Sequence, residues 1–326
     1  MASVTAVVPV YNKGPYVERA ISSILAQAYQ DFRVIVVDDG STDDGPERVR
    51  RFTDPRIELV TQANAGPGAA RNRGLGMCES AYVGFLDADD EYLPDFLEVT
   101  VAFLQSHPDA AVVFTGHYGY PRKESSEANF RSFGLFEGMH RVGPDSMPIE
   151  VYGLHGFMSP CATLARPDVL RQYGGFLEER CTYGEDQQLF LSVVMNHPIG
   201  VLVKPHVIFH LEASALAHNR PTPRPVYPFL LDPEPIFANC PAEKHDLLGR
   251  YLELRASAVA RWYLQDADPP DPATARMLLA KYPYVGGHLK HRLVTLLWLK
   301  LPGISRWVRR LKRGLSATVR KAAKSC

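Results

Sequence analysis

Between residues 5 and 37 the chain reads strand, helix, strand, and this constrains the fold more than any other stretch. Thr5 to Val10 (TAVVPV) and Phe32 to Val37 (FRVIVV) are short β-branched runs without polar alternation, the pattern of parallel strands covered on both faces. Between them Val17, Ala20, Ile21, Ile24, Leu25 and Ala28 recur at spacings of three and four, behind a Pro15 suited to a first helical turn. Two parallel strands joined by a helix form a βαβ unit, and open sheets built from such units bind ligands at the carboxyl ends of their strands.

Four stretches deliver polar groups to that rim. Pro9 to Tyr11 end the first strand, and Asp38 and Asp39 end the second. A third strand, Ile57 to Thr61, leads into the Gly-rich loop NAGPGAARNRG, where a helix starting near Pro67 sets backbone N–H groups and Arg71 beside the same edge, a ready site for a diphosphate. A fourth apolar run, VGFL, stops abruptly in Asp87, Asp89 and Asp90. Carboxylates this crowded raise one another's pKa and need a cation or hydrogen-bond donors; a divalent metal held by hard oxygen ligands, Mg²⁺ or Mn²⁺, meets that need. Each feature alone has a bland explanation: helix capping for the aspartates, an ordinary turn at Asp39-Gly40, a solvated helix arginine, a packing tyrosine. Their convergence on one rim is what points to a ligand site.

The segments VVPVYNKGPYVERAISSILAQAYQDFRVIVVDDGSTDDG, NAGPGAARNRGL and FLDADDEYLPDFLE resemble the nucleotide-sugar-binding half of the inverting family 2 glycosyltransferases, closely over residues 4 to 105 and more loosely to about 215. The resemblance implies the GT-A fold, an α/β, Rossmann-like, mostly parallel sheet. It implies that Pro9, Tyr11 and Asp39 surround the nucleotide base and ribose, with Asp39 accepting from a base N–H. It places Arg71 near the diphosphate, Asp87 toward the ribose or sugar, and Asp89 on the metal. A cation and an arginine would stabilise the charge that grows on the departing nucleoside diphosphate. The expected donor is a UDP-sugar.

The second half must hold the acceptor and the base. Ala111 to Thr115 and Cys161 to Ala165 read as strands, Pro167 to Gln172 as a helix ended by Gly174-Gly175, and residues 116 to 160 as an acceptor-facing region with little regular structure. Gly184-Glu185-Asp186-Gln187 opens a helix whose dipole alone accounts for carboxylates there. The family resemblance gives this pair a catalytic role: Asp186 as the base that takes the acceptor hydroxyl proton and Glu185 as its neighbour, or the two reversed. A last strand, Val201 to His210, offers His210 as a metal ligand, although the family pattern is not clean, with His206 and His218 close in sequence and a structural role competing.

Three domains are expected: a GT-A domain over 1–218, a proline-rich extended connector over 219–241, and a helical region over 242–326 with amphipathic helices at Glu243 to Gln265 and Pro272 to Lys281. The 326 residues carry zero net charge only because opposites cancel. Thirteen of the 36 basic residues lie beyond residue 271 without a single acid, leaving 23 to face all 36 acidic residues in the body. From His288 to Lys324, Leu293, Leu296, Trp298, Ile304, Trp307 and Leu311 alternate with arginine and lysine, the composition of an interfacial helix on anionic lipid, where each basic residue contributes ~1 kcal/mol. Trp and Leu at this density, with no nucleic-acid motif beside them, favour a membrane surface over nucleic acid. The N-terminus has no basic start and its apolar run breaks at Pro9, so no secretory signal is expected. Five scattered cysteines without Cys-x-x-Cys spacing suit a reducing compartment rather than disulfides or zinc.

The expected protein is a metal-dependent inverting glycosyltransferase. It would be cytoplasmic, peripheral at the inner membrane face, and would act on a hydroxyl of a glycan or lipid-linked acceptor. The alternatives are a nucleotidyltransferase, disfavoured by a loop without the basic pattern of triphosphate handling, and a non-catalytic nucleotide- or glycan-binding module on the same fold.

Overall fold

The computed structural model describes residues 2–122, 124–178, 183–213, 225–267 and 269–283. In chain order the strands and helices of the first part are β1 (Val4–Val10), α1 (Gly14–Leu25), β2 (Phe32–Asp38), α2 (Gly45–Val49), β3 (Ile57–Thr61), α3 (Pro67–Gly76), β4 (Tyr82–Phe85), β5 (Glu91–Tyr92) and α4 (Phe96–Ser106). Then follow β6 (Val112–Tyr120), β7 (Glu124–Ser125), α5 (Glu127–Ser132), β8 (Gly138–His140), α6 (Pro148–Phe157), β9 (Thr163–Ala165), α7 (Pro167–Gln172), α8 (Gln187–Asn196) and β10 (Ile199–His210).

One sheet runs β3-β2-β1-β4-β9-β6-β10-β5, with β7 beside β6 and β8 beside β10. Its long ladders are parallel: β1 with β2 and β4, β2 with β3, and β6 with β10. The antiparallel ones span only two or three residue pairs each. This is the mixed, mostly parallel α/β sheet expected. Val4, Ala6, Val7, Val8 and Val10 are all buried because helices cover both faces of β1, which explains why its sequence does not alternate. α1 buries Val17, Ala20, Ile21 and Ile24, the stripe its spacing predicted. α3 lies so close to β1 that a Cβ on Gly74 would stand 2.3 Å from Val7 Cγ1, so only glycine permits that approach.

Two features of the second half differ from expectation. Residues 116–160 are largely regular: β6 runs on to Tyr120, and α5, β8 and α6 follow. α6 has Pro148 in its first turn and a Glu150 side chain that accepts from Met147 N, start signals embedded in a stretch whose Gly and charge content reads as loop. The proline-rich stretch is not one extended connector. Its described part forms the short helices Pro228–Leu231 and Glu234–Asn239, with Pro228 and Pro235 in first turns and Phe229, Leu230 and Ile236 buried. Proline there starts helices rather than stiffening a strand.

The chain divides into two compact units, with the boundary after this stretch at Lys244/His245. In the second unit the helices His245–Gln265 and Pro272–Lys281 pack on each other and bury Leu247, Leu248, Tyr251, Leu278 and Leu279. Asp271 caps the second helix, accepting from Ala273 N and Thr274 N. His218 and the basic tail from His288 to Lys324 lie outside the described residues.

Candidate active site

The carboxyl ends of β1, β2 and β4 carry the rim. β1 ends in Val10 beside Asp38 of β2, and Asp39 N donates to Val10 O. Tyr11 projects outward, 49% exposed, and Pro9 is half-buried behind it. Asn12 is the one described non-glycine residue with positive φ, at 52°. Its Oδ1 accepts from Thr42 N at 2.8 Å and its own N donates to Ser41 Oγ, so hydrogen bonds to the loop after β2 hold the unusual backbone.

Asp39 is buried, and its carboxylate is engaged within the protein. Oδ1 accepts from Gln62 Nε2 (2.8 Å) and Ala65 N (2.9 Å), and Oδ2 from Gly66 N (2.8 Å). A carboxylate offers about four acceptor directions, so three of them already shape the Gly-rich loop and about one remains for a ligand. Its first duty here is to fold the loop that starts α3.

Arg71, on the second turn of α3, is 4% exposed and binds two acids at once: Asp87 Oδ1 at 2.7 Å and Glu185 Oε1 at 2.6 Å. Burial would strip its charge, but the two carboxylates more than offset that and raise its pKa further. Burial likewise disfavours charge on Asp87, yet Arg71 wins and holds its carboxyl below the usual range. Asp89 goes the other way, raised by burial and by the charge of Asp87 against the opposing pull of Lys13. Asp90 is pushed well above the ordinary carboxylate value by burial, Asp87 and Asp89, although its Oδ1 accepts from His210 N at 2.9 Å.

The acids therefore outnumber the cations beside them, which is the electrostatic condition for a bound cation. Hard carboxylate oxygens of this kind suit Mg²⁺ or Mn²⁺. Among the described residues, the group whose possible ligand atoms lie within 4.8 Å of one another is Asp87, Asp90 and Cys161, which leaves out Asp89 and adds a thiol that the sequence did not suggest. Cys161 is buried just before β9, and its sulfur accepts from Asp87 N at 3.3 Å.

His210 reaches the rim, but both ring nitrogens are taken, Nε2 with Glu91 Oε1 at 2.6 Å and Nδ1 with Glu212 Oε1 at 2.7 Å. This arrangement leaves no ring nitrogen for an ion, and the imidazole ties β10 to β5 instead. His206 pairs with Asp95 at 2.9 Å.

The expected base pair lies on the same cluster. Glu185 Oε1 is fixed by Arg71, whereas Asp186 stands at the start of α8, where Gln187 Nε2 approaches its carboxylate at 3.4 Å. Burial, then the neighbouring Glu185 charge, raises the Asp186 carboxyl to about 7. Of the two neighbours, Glu185 is the one salt-bridged to Arg71 and Asp186 the one raised toward neutrality.

Two further residues complete the site. Lys13 Nζ donates to Asp89 Oδ2 at 2.5 Å. Asn72 clamps the loop after α7: Nδ2 donates to Phe176 O and Glu178 Oε1, and Oδ1 accepts from Phe176 N, each at 2.8 Å. Leu177 N in turn donates to Glu185 O. Lys13 and Asn72 stand beside Tyr11 and Arg71 inside the very motifs that mark the rim, and that adjacency was the available signal.

The fold is that of the GT-A class, and the family model described as glycosyl transferase family 2 matches residues 5–174. The chain belongs to that family. It is 29% identical over 209 residues to an uncharacterized glycosyltransferase of Rickettsia felis, covering 62% of this chain and 32% of that one. It is 36% identical over 155 residues to the glycosyltransferase GlyA of Streptococcus pneumoniae, covering 46% and 20%. The chain thus spans a third or less of the length of these relatives. Similar solved structures include Staphylococcus aureus TarS 1–349 in complex with UDP-GlcNAc, at TM-score 0.55 and 22% identity over 86% of this chain and 71% of that one. Another is the mannosyltransferase PcManGT of Pyrobaculum calidifontis in complex with GDP-Man and Mn²⁺, at TM-score 0.52 and 21% identity over 98% and 86%.

Proposed function

We propose that this chain is an inverting, metal-dependent glycosyltransferase that moves a sugar from a nucleoside diphosphate donor to a hydroxyl of a glycan or lipid-linked acceptor. The observation that carries the reading is the single salt-bridged cluster in which Arg71 joins Asp87 to Glu185, with Asp186 next in the chain. This cluster supports a reading in which diphosphate chemistry and proton removal occur side by side.

Pro9, Tyr11 and Asp39 hold the base and ribose. Arg71 exchanges a carboxylate for the diphosphate, and Asp87 faces the sugar. Asp89 would hold Mn²⁺ or Mg²⁺, which when bound would supply positive charge for the leaving nucleoside diphosphate. Asp186 takes the acceptor proton, and Glu185, held by Arg71, orients the acceptor side. A single displacement from the face opposite the leaving group inverts the anomeric centre. A UDP-sugar is the working donor, and the solved relatives bound to UDP-GlcNAc and to GDP-Man with Mn²⁺ support a nucleotide sugar as the ligand class.

Among the described residues no helix is long and apolar enough to cross a membrane, and the basic tail is assigned to an anionic membrane surface near such acceptors. Titration with UDP, GDP and their sugars, with and without Mn²⁺, is paired with assays of sugar release and transfer. Asp186→Asn is expected to keep donor affinity and to lose about 10²–10⁴ of the transfer rate. Nucleotide binding without release or transfer by the unmodified protein would turn the reading toward a non-catalytic module.

A further inference from the structure

Resting on the assignment of Asp89 to the metal, we propose that Lys13 is the resident cation of the nucleotide-free site. A divalent ion then binds more tightly in company with a diphosphate that draws Lys13 away. The Lys13 ammonium stands 2.5 Å from Asp89 Oδ2 and 3.0 Å from Ala213 O, using two of its three donors. The pair is shielded from water, with side chains 19% and 11% exposed, so solvent screens it weakly. Arg19 Nη2 grips the same residue from the other side, donating to the Asp89 carbonyl at 2.5 Å. Asp89 is therefore held at both its carboxylate and its backbone by cationic side chains from the start of α1.

A divalent ion on that carboxylate would share it with an ammonium already in place, and like charges repel strongly where screening is poor. A nucleoside diphosphate removes the conflict. Its anionic oxygens offset the ion's charge and offer Lys13 a charge-assisted partner in place of the neutral Ala213 carbonyl. Metal and nucleotide then bind cooperatively through one side chain, and each raises the affinity for the other by the same factor.

Electron paramagnetic resonance of Mn²⁺ tests this on the full chain, with UDP and GDP in separate titrations. The unmodified protein should bind Mn²⁺ at least about tenfold more tightly with nucleotide than without. Lys13→Met and Lys13→Gln should each gain about tenfold in nucleotide-free Mn²⁺ affinity, so that nucleotide improves Mn²⁺ binding less than in the unmodified chain, while Lys13→Arg behaves as the unmodified chain. If both neutral variants bind free Mn²⁺ no better, and Asp89→Asn still abolishes nucleotide-dependent binding, the Lys13 inference fails and the Asp89 assignment stands. If Asp89→Asn leaves Mn²⁺ binding untouched, both fail.

Discussion

A proton acceptor at neutral pH needs a carboxylate that is neither too acidic nor already neutralised, and the two neighbours at the head of α8 divide on this point. Glu185 is locked to Arg71, while Asp186, raised to about 7, changes charge in the working range. With ionised Asp186 as the proposed base, the transfer rate should rise with pH, reaching half its plateau near pH 7. Asp186→Asn should abolish that limb along with the rate, and a pH profile of kcat/KM measures it. The stability sign is opposite. A carboxyl whose folded pKa lies above its unfolded value near 3.8 favours the folded state while protonated. That contribution is lost as pH rises from about 4 to about 7, so the unmodified protein should lose stability relative to Asp186→Asn across this window in denaturant titrations.

At the scale of elements, the site depends on one helix meeting one loop. α3 carries Arg71 and Asn72 on successive residues, the first to the acids and the second to the Phe176 loop. A Cβ on Gly68 would stand 2.1 Å from Leu177 O, a backbone atom that cannot swing aside. Gly68→Ala is therefore expected to cost about 1–3 kcal/mol. It should also lower transfer more than donor binding, because the displaced loop bonds Leu177 N to Glu185 O; thermal melts and paired kinetic and binding assays check this.

The strands and the rim were legible in the sequence because β1 and β2 are uninterrupted apolar runs and their polar ends are local motifs. Arg71, Asp87 and the Glu185-Asp186 pair do come together in the fold. The partners of these residues were not legible. Nothing in the string ties Asn72 to Phe176, Lys13 to Asp89 or Cys161 to Asp87, since each pairing is made by tertiary approach across many residues. His210 shows the same limit: its position was readable, but the two glutamates occupying its ring were not.

Across the whole molecule, charge separates what composition averages away, with the basic excess gathered after residue 271. Deleting residues 284–326 is expected to reduce binding to phosphatidylserine vesicles by about tenfold or more, at ~1 kcal/mol per basic residue engaged, and to leave nucleotide affinity unchanged. Vesicle sedimentation at low and high salt measures it. The sheet itself comprises two parallel blocks, β3-β2-β1-β4 and β6-β10, and β9 is the strand joined to both. Leu164 faces Gly84 on one flank and Val113 on the other, and Ala165 faces Val83 and Val112. Two residues thus join one parallel block to the other, and Cys161, one turn upstream, already touches Asp87. A proline or a charge at the fully buried Leu164 would therefore strike both ladders at once, since this residue is paired on each flank.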